Sequence, residues 1–67
     1  MKDLKVGDYG RFEFVLQRKG LITSFSLCAT VKEIDGKYVL LTDNDDIEYL
    51  PKKADISSFH KEKPFTR

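Results

Sequence analysis

The sequence predicts an all-β fold built from five short antiparallel strands, with a single helical turn before the last strand. Two long segments alternate apolar and polar side chains, which is the periodicity of strands. Short clusters of Gly, Asp and Asn separate the apolar segments, as expected of tight turns. With 67 residues the chain has room for one small core. We therefore expect one domain over residues 1–60 and a C-terminal tail at 61–67.

The first two strands are predicted at 9–17, "YGRFEFVLQ", and at 24–32, "SFSLCATVK". Both segments are rich in aromatic and β-branched residues and poor in strong helix formers. Between them, Gly20 and two cations indicate a loop at 17–21. The side chains expected to face the core from these two strands are Phe12, Phe14, Leu16, Phe25, Leu27, Ala29 and Val31.

A hairpin turn is predicted at Asp35-Gly36, a pair typical of two-residue loops in which both residues have positive φ. The flanking apolar pattern does not fit that loop. A strict two-residue loop pairs Val31 with Leu40, and it places Ile34, Val39 and Leu41 together on the opposite face. Either a β-bulge resets the register or a sharply curved sheet buries residues of both faces.

The remaining elements follow in short order. "KYVLLT" predicts the third strand and "IEYL" the fourth, so "DNDD" at 43–46 is the turn that joins them. Pro51 ends the fourth strand because it lacks an N–H for the ladder. "KKAD" predicts one helical turn and "ISSFH" the fifth strand. Leu41, Ile47 and Ile56 complete the expected core.

This order of elements resembles the Src-homology-3-like small barrel shared by Tudor and KOW-type domains. The resemblance is carried by residues 29–59, "ATVKEIDGKYVLLTDNDDIEYLPKKADISSF", in which a hairpin, a second turn and a helical break lead to the final strand. It implies a closed five-stranded barrel. The oligonucleotide-binding barrel fits less well, because it normally has a helix between its third and fourth strands and "TDNDD" is too short to hold one.

The charge is nearly balanced overall but unevenly distributed along the chain. The net charge is +1, with +2 over residues 1–34, −4 over 35–50 and +3 over 51–67. A near-neutral total argues against a bulk electrostatic binder of nucleic acid, although a local basic patch remains open.

We expect a cytoplasmic protein without a membrane anchor. The N-terminal segment "MKDLKVGDYG" lacks the apolar core of a secretory signal, and the longest apolar run, 38–41, is far shorter than the ~20 residues of a membrane span. The single Cys28 cannot form an internal disulfide.

The sequence favours ordinary structural roles over a metal site, a catalytic site or a methyl-lysine-binding site for its acidic, Cys and aromatic residues. "DNDDIE" places Ile47 where a calcium loop needs an oxygen ligand, so we expect a solvated turn and no metal. Cys28 needs a base such as His60 beside it to act as a nucleophile, and packing is the simpler role. No cofactor motif is present in the sequence. The candidates for an aromatic cage around a methylated Lys or Arg are Tyr9, Tyr38, Tyr49 and Phe59.

The favoured function is a non-enzymatic binding or adaptor module that recognises a protein partner through charged loops. The alternative is a weak nucleic-acid-binding accessory protein that uses basic loops at 17–21 and 51–53. The resemblance to Src-homology-type barrels implies that these two segments lie on the same side of the barrel. The predicted partner-binding residues are Arg18, Lys19, Tyr49, Lys52 and Lys53.

Overall fold

A computed structural model describes residues 4–63 of the chain. It contains five strands and a single turn of 3-10 helix, Lys53–Asp55, directly before the last strand. The strands are β1 (Tyr9–Arg18), β2 (Leu21–Asp35), β3 (Tyr38–Asp43), β4 (Glu48–Tyr49) and β5 (Ile56–Lys61).

All strand pairs are antiparallel, and the sheet has the order β4-β3-β2-β1-β5. The predicted all-β class, the five strands and the helical turn are confirmed. Within residues 4–63 no ladder joins β4 to β5, so hydrogen bonding leaves the sheet open where a closed barrel was expected. This part of the chain also has no helix with the length and hydropathy needed to cross a bilayer.

The β1–β2 hairpin is longer than predicted, and its loop is shorter. Arg18 pairs with Leu21, so only Lys19 and Gly20 form the turn. Both have positive φ, 51° and 81°, which is the requirement of a type I′ turn. Because this turn matches the twist of its strands, the ladder continues to the tip of the hairpin. The loop predicted at 17–21 is therefore too long, because Gln17, Arg18 and Leu21 belong to the strands.

A β-bulge in β2 resolves the conflict seen in the sequence. The register shifts between Val31 and Glu33, so Val31 pairs with Leu41. Lys32 is the extra residue on the bulged strand. The turn lies one residue later than predicted: Asp35 pairs with Tyr38, and Gly36 is the turn residue with positive φ, 57°. Of the two explanations offered by the pattern, the bulge is the correct one.

The core forms between the inward faces of β1, β2 and β3 and the start of β5. Leu16, Phe25 and Leu27 are partly buried and pack against it, as predicted. Ile47 was predicted in the core but is 52% exposed, because it follows the turn residue Asp46, which has φ 64°. Val39 was missed, since its burial depends on the bulge. The buried core cluster comprises Phe12, Phe14, Ala29, Val31, Val39, Leu41 and Ile56.

Gly10 is required at the point where β5 pairs closely with β1. A Cβ at this position would contact the carbonyl oxygen of His60 and lie 2.6 Å from Cε1 of Phe59. The Phe59 ring itself stacks on Phe12 with centroids 4.6 Å apart. The absence of a side chain at Gly10 thus lets β5 approach β1 closely beside the Phe12–Phe59 stack.

We predict that Phe14→Ala lowers the free energy of unfolding by ~3–5 kcal/mol, because it removes a buried ring and leaves a cavity. Ile47→Ala is the matched control, since it truncates an exposed side chain and should change stability by less than about 0.5 kcal/mol. Urea denaturation measures both. Equal stability of the two variants would show that the strand faces are assigned wrongly.

Candidate functional site

The acidic turn at 43–46 is organised by its own first residue. The Asp43 carboxylate accepts hydrogen bonds from the backbone N–H groups of Asp45 (2.8 Å) and Ile47 (2.9 Å). Its second oxygen accepts the hydroxyl of Tyr49 at 3.0 Å. The predicted turn is therefore confirmed, and the Asp43 side chain adds to its backbone hydrogen bonds, which run from the Asp46 N–H to the Asp43 carbonyl and from the Asp43 N–H to the Ile47 carbonyl.

These contacts change the acidity of both side chains. The hydrogen bond from the Ile47 N–H, assisted by those from Asp45 and Tyr49, holds the pKa of Asp43 below its ordinary value of 3.8. Partial desolvation acts in the opposite direction and is outweighed. For Tyr49, burial raises the pKa above its ordinary value of 10.0, and the neighbouring Asp43 charge raises it further.

The carboxylates of the turn do not converge on a point in the described structure. Asp43 directs its oxygens at donors within the chain, while Asp45, Asp46 and Glu48 are exposed. Across residues 4–63 no three His, Cys, Asp or Glu side chains are grouped as metal ligands would be. The absence of a physiological metal remains a prediction.

The four aromatic side chains proposed as a cage have separate environments. Tyr49 lies edge-on to Phe14 and Phe25, with centroid distances of 5.7 and 5.5 Å. Tyr9 is buried, and its hydroxyl accepts a hydrogen bond from the Asn44 amide at 3.2 Å. The ring of Phe59 stacks on Phe12, as described above, and that of Tyr38 is 40% exposed. No two of the four candidates stack on each other in the described part of the chain.

Cys28 and His60 are not adjacent. Both lie opposite Arg11, one on β2 and the other on β5, so β1 separates them. Two strand spacings amount to roughly 10 Å, beyond hydrogen-bond reach. The Cys28 Sγ instead lies 3.7 Å from a carboxylate oxygen of Glu62.

The predicted basic residues are all exposed and belong to two segments. Arg18 ends β1 and Lys19 is in the hairpin turn, whereas Lys52 is bridged to the backbone of Tyr38. Lys53 donates its N–H to the carbonyl of Lys37 at 2.7 Å. Gln17, the residue before Arg18, lines the same groove as Lys52. The hairpin end and the segment at 52–53 are therefore near each other at this groove. Convergence of the four charges on one partner remains a prediction.

Two shallow grooves meet at a pair of exposed apolar side chains, Tyr38 and Leu50. Their volumes are about 290 and 230 Å³. Tyr38 is 40% and Leu50 54% exposed. We call this region the Tyr38–Leu50 surface. The grooves are lined, besides this pair, by Leu16, Gln17, Glu33, Asp35, Leu40, Pro51, Lys52 and Asp55.

Sequence reasoning found only part of this surface. The sequence predicts Lys52 as a binding residue, and it indicates Tyr38 only as a candidate for the aromatic cage. The signal available in the sequence was the alternation in "YVLL": Tyr38 and Leu40 lie on the face opposite Val39, so once Val39 faces the core they must face outward. Comparison with protein-family models, curated proteins and solved structures finds no match to this chain.

We predict that Asp43→Asn weakens the acid dependence of stability. Because the folded-state pKa of Asp43 is lowered, its contribution is present above the unfolded value of 3.8 and is lost as the pH falls through the folded value. Melting temperatures of the wild type should therefore drop more steeply than those of the variant below about pH 5. Asp45→Asn is the control, because its carboxylate accepts no hydrogen bond from residues 4–63. Parallel acid profiles for the wild type and Asp43→Asn would contradict the role given to this turn.

Proposed function

We propose that this chain is a non-enzymatic binding module that recognises a protein partner, and that the Tyr38–Leu50 surface forms the centre of the contact. The observation that carries the proposal is the exposure of a Tyr and a Leu side by side between two grooves. An aromatic side chain with neighbouring apolar groups is typical of the centre of protein interfaces.

The charges around this surface favour a protein over a polyanion. Glu33 and Asp35 line one groove, while Lys52 and Asp55 line the other. A nucleic acid would be repelled by the carboxylates, whereas a protein partner can offer complementary charges of both signs. We place the basic side chains of Arg18, Lys19 and Lys53 at the charged rim of this surface. They would contact the partner as the sequence predicts for the charged loops.

The proposal also draws on the resemblance to Src-homology-3-like small barrels. The strand order, with β1 between β2 and β5, and the helical turn before β5 support that resemblance. In this arrangement β3 lies between β2 and β4, and alternation along β3 turns Tyr38 and Leu40 to the face opposite the buried Val39. The Tyr38–Leu50 surface lies on that part of the sheet.

Partner capture with two matched variants tests the proposal. Leu50→Asp places a charge in the surface, and Ile47→Asp places one on a residue of similar exposure, 52%, outside both grooves. From a nuclease-treated extract of its source cells, the wild type and Ile47→Asp should retain the same defined partner, and Leu50→Asp should lose it. Loss in both variants, or in neither, would contradict the proposed surface.

The charged rim is tested by reversing Arg18 and Lys52 to Glu together. We predict a loss of partner binding of about tenfold or more with an almost unchanged melting temperature, since both side chains are exposed. Titration with a fluorescent oligonucleotide at about 50 and 200 mM salt addresses the alternative function. Tight binding that weakens steeply with salt would favour the nucleic-acid hypothesis over the protein partner.

A further inference from the structure

The first half of β2 has a strand on one side only. β2 pairs with β1 from Leu21 to Thr30, but its pairing with β3 begins only at Ala29. Residues 21–28 therefore have one edge that no strand covers in the structure of residues 4–63. We call this edge of residues 21–28 the open edge.

The register identifies which backbone groups point along the open edge. Val31 bonds toward β1, because its N–H donates to Asp8 and its carbonyl accepts from Gly7, both at 2.8 Å. Residues alternate in an antiparallel ladder, so odd-numbered residues before the bulge bond to β1. The even-numbered residues direct their N–H and C=O groups to the open edge, and these are Ile22, Ser24, Ser26 and Cys28.

Nothing in the sequence protects this edge from pairing. Residues 20–31 contain no charged side chain in a chain that is 34% charged. The edge strand β5, by contrast, carries Lys61, and β4 is only two residues long. Proteins usually guard exposed edges with charge, Pro or short strands, so a long uncharged edge indicates that it is covered in use.

We propose that the open edge pairs antiparallel with the same edge of a second copy of this chain. Hydrogen bonding requires even residues opposite even residues, and Asp43 already occupies the position beside Ala29. The strand of the second copy must therefore end before it reaches that position. The longest ladder that meets this condition places Ser24 opposite Ser24 on a two-fold axis, with Ile22 opposite Ser26. Such self-complementary contacts are the usual basis of dimers.

This register covers apolar side chains that are otherwise in water. Leu21 and Ile22 are 72% and 65% exposed in the single chain. In the dimer Leu21 lies opposite the partly buried Leu27 of the other copy, and cross-strand apolar pairs stabilise sheets. The contact includes neither Tyr38 nor Leu50, although it shares Arg18 and Lys19 with the charged rim proposed above, and Ser24 on its axis tests it separately from that function.

The same register brings opposite charges together. β3 ends at Asp43 beside Ala29, and the acidic turn at 43–46 follows directly. In the antiparallel pair the hairpin tip of the second copy, which carries Arg18 and Lys19, ends at this point. Each basic tip therefore meets an acidic turn, and symmetry repeats the contact. This complementarity favours a second copy over an unrelated extended peptide.

The first test is the oligomeric state at increasing concentration, measured by sedimentation equilibrium. The wild type should dimerise, and Ser24→Lys should weaken the dimer at least tenfold, because two like charges would face each other on the axis. Ser57→Lys is the matched control: Ser57 is an exposed serine on the edge strand β5, away from the open edge, and its substitution should leave the dimer intact. A wild type that stays monomeric up to about 1 mM, or a dimer that Ser24→Lys leaves unchanged, overturns the proposal.

A charge exchange tests the contact between tip and turn. Lys19→Glu should weaken the dimer several-fold, and adding Asp45→Lys to the same chain should restore it, because the exchanged charges attract again. Failure of the second substitution to restore binding contradicts the register.

Cross-linking tests the position of the axis without relying on a destabilising change. In a Cys28→Ser background, Ser24→Cys should form a disulfide-linked dimer under mild oxidation, because opposed residues on such an axis have Cα atoms about 5.5 Å apart. Ser57→Cys in the same background should not. Equal cross-linking of the two variants would reduce the result to random collision and refute the proposed axis.

Discussion

The packing of Phe12 and Phe14 on the interior strand β1 is the constraint on which the rest of the structure depends. β1 pairs with β2 along one edge and with β5 along the other. Both rings are buried, and each extends the core: Phe12 stacks on Phe59 of β5, and Phe14 stacks on Phe25 of β2 and contacts Tyr49. In so small a chain, few other side chains can replace this apolar area.

Tyr49 connects that core to the polar end of the sheet. Its ring belongs to the aromatic cluster, while its hydroxyl donates to Asp43 in the acidic turn. The turn is thus held from both sides, by backbone donors within it and by a side chain that reaches out of the core. The sequence of residues 43–46 offers several possible ligand atoms. In the structure this segment is a tight turn, and the side chains of Asp45 and Asp46 are exposed to solvent.

The β-bulge at Lys32 determines which surfaces the protein presents. It places Val31 and Val39 in the core together and so turns Tyr38 and Leu40 outward. The short β3 that follows covers only the second half of β2 and leaves the first half with an open edge. The Tyr38–Leu50 surface therefore follows from the register that the bulge sets, whereas the open edge follows from the length of β3, and the two lie on different parts of the sheet.

The sequence by itself determined the strands, the acidic turn and the helical turn before β5, because alternation and turn propensity act between residues close in the chain. It also determined most of the core, since Phe12 and Phe14 on β1, and Ala29 and Val31 on β2, lie two residues apart. Tertiary structure alone decided that Val39 is buried and Ile47 exposed, that Leu50 joins Tyr38 on a surface, and that residues 21–28 have an open edge. Those features depend on the register between strands and on where each strand ends, and local propensity does not encode either. They are decided only when distant side chains compete for one small core.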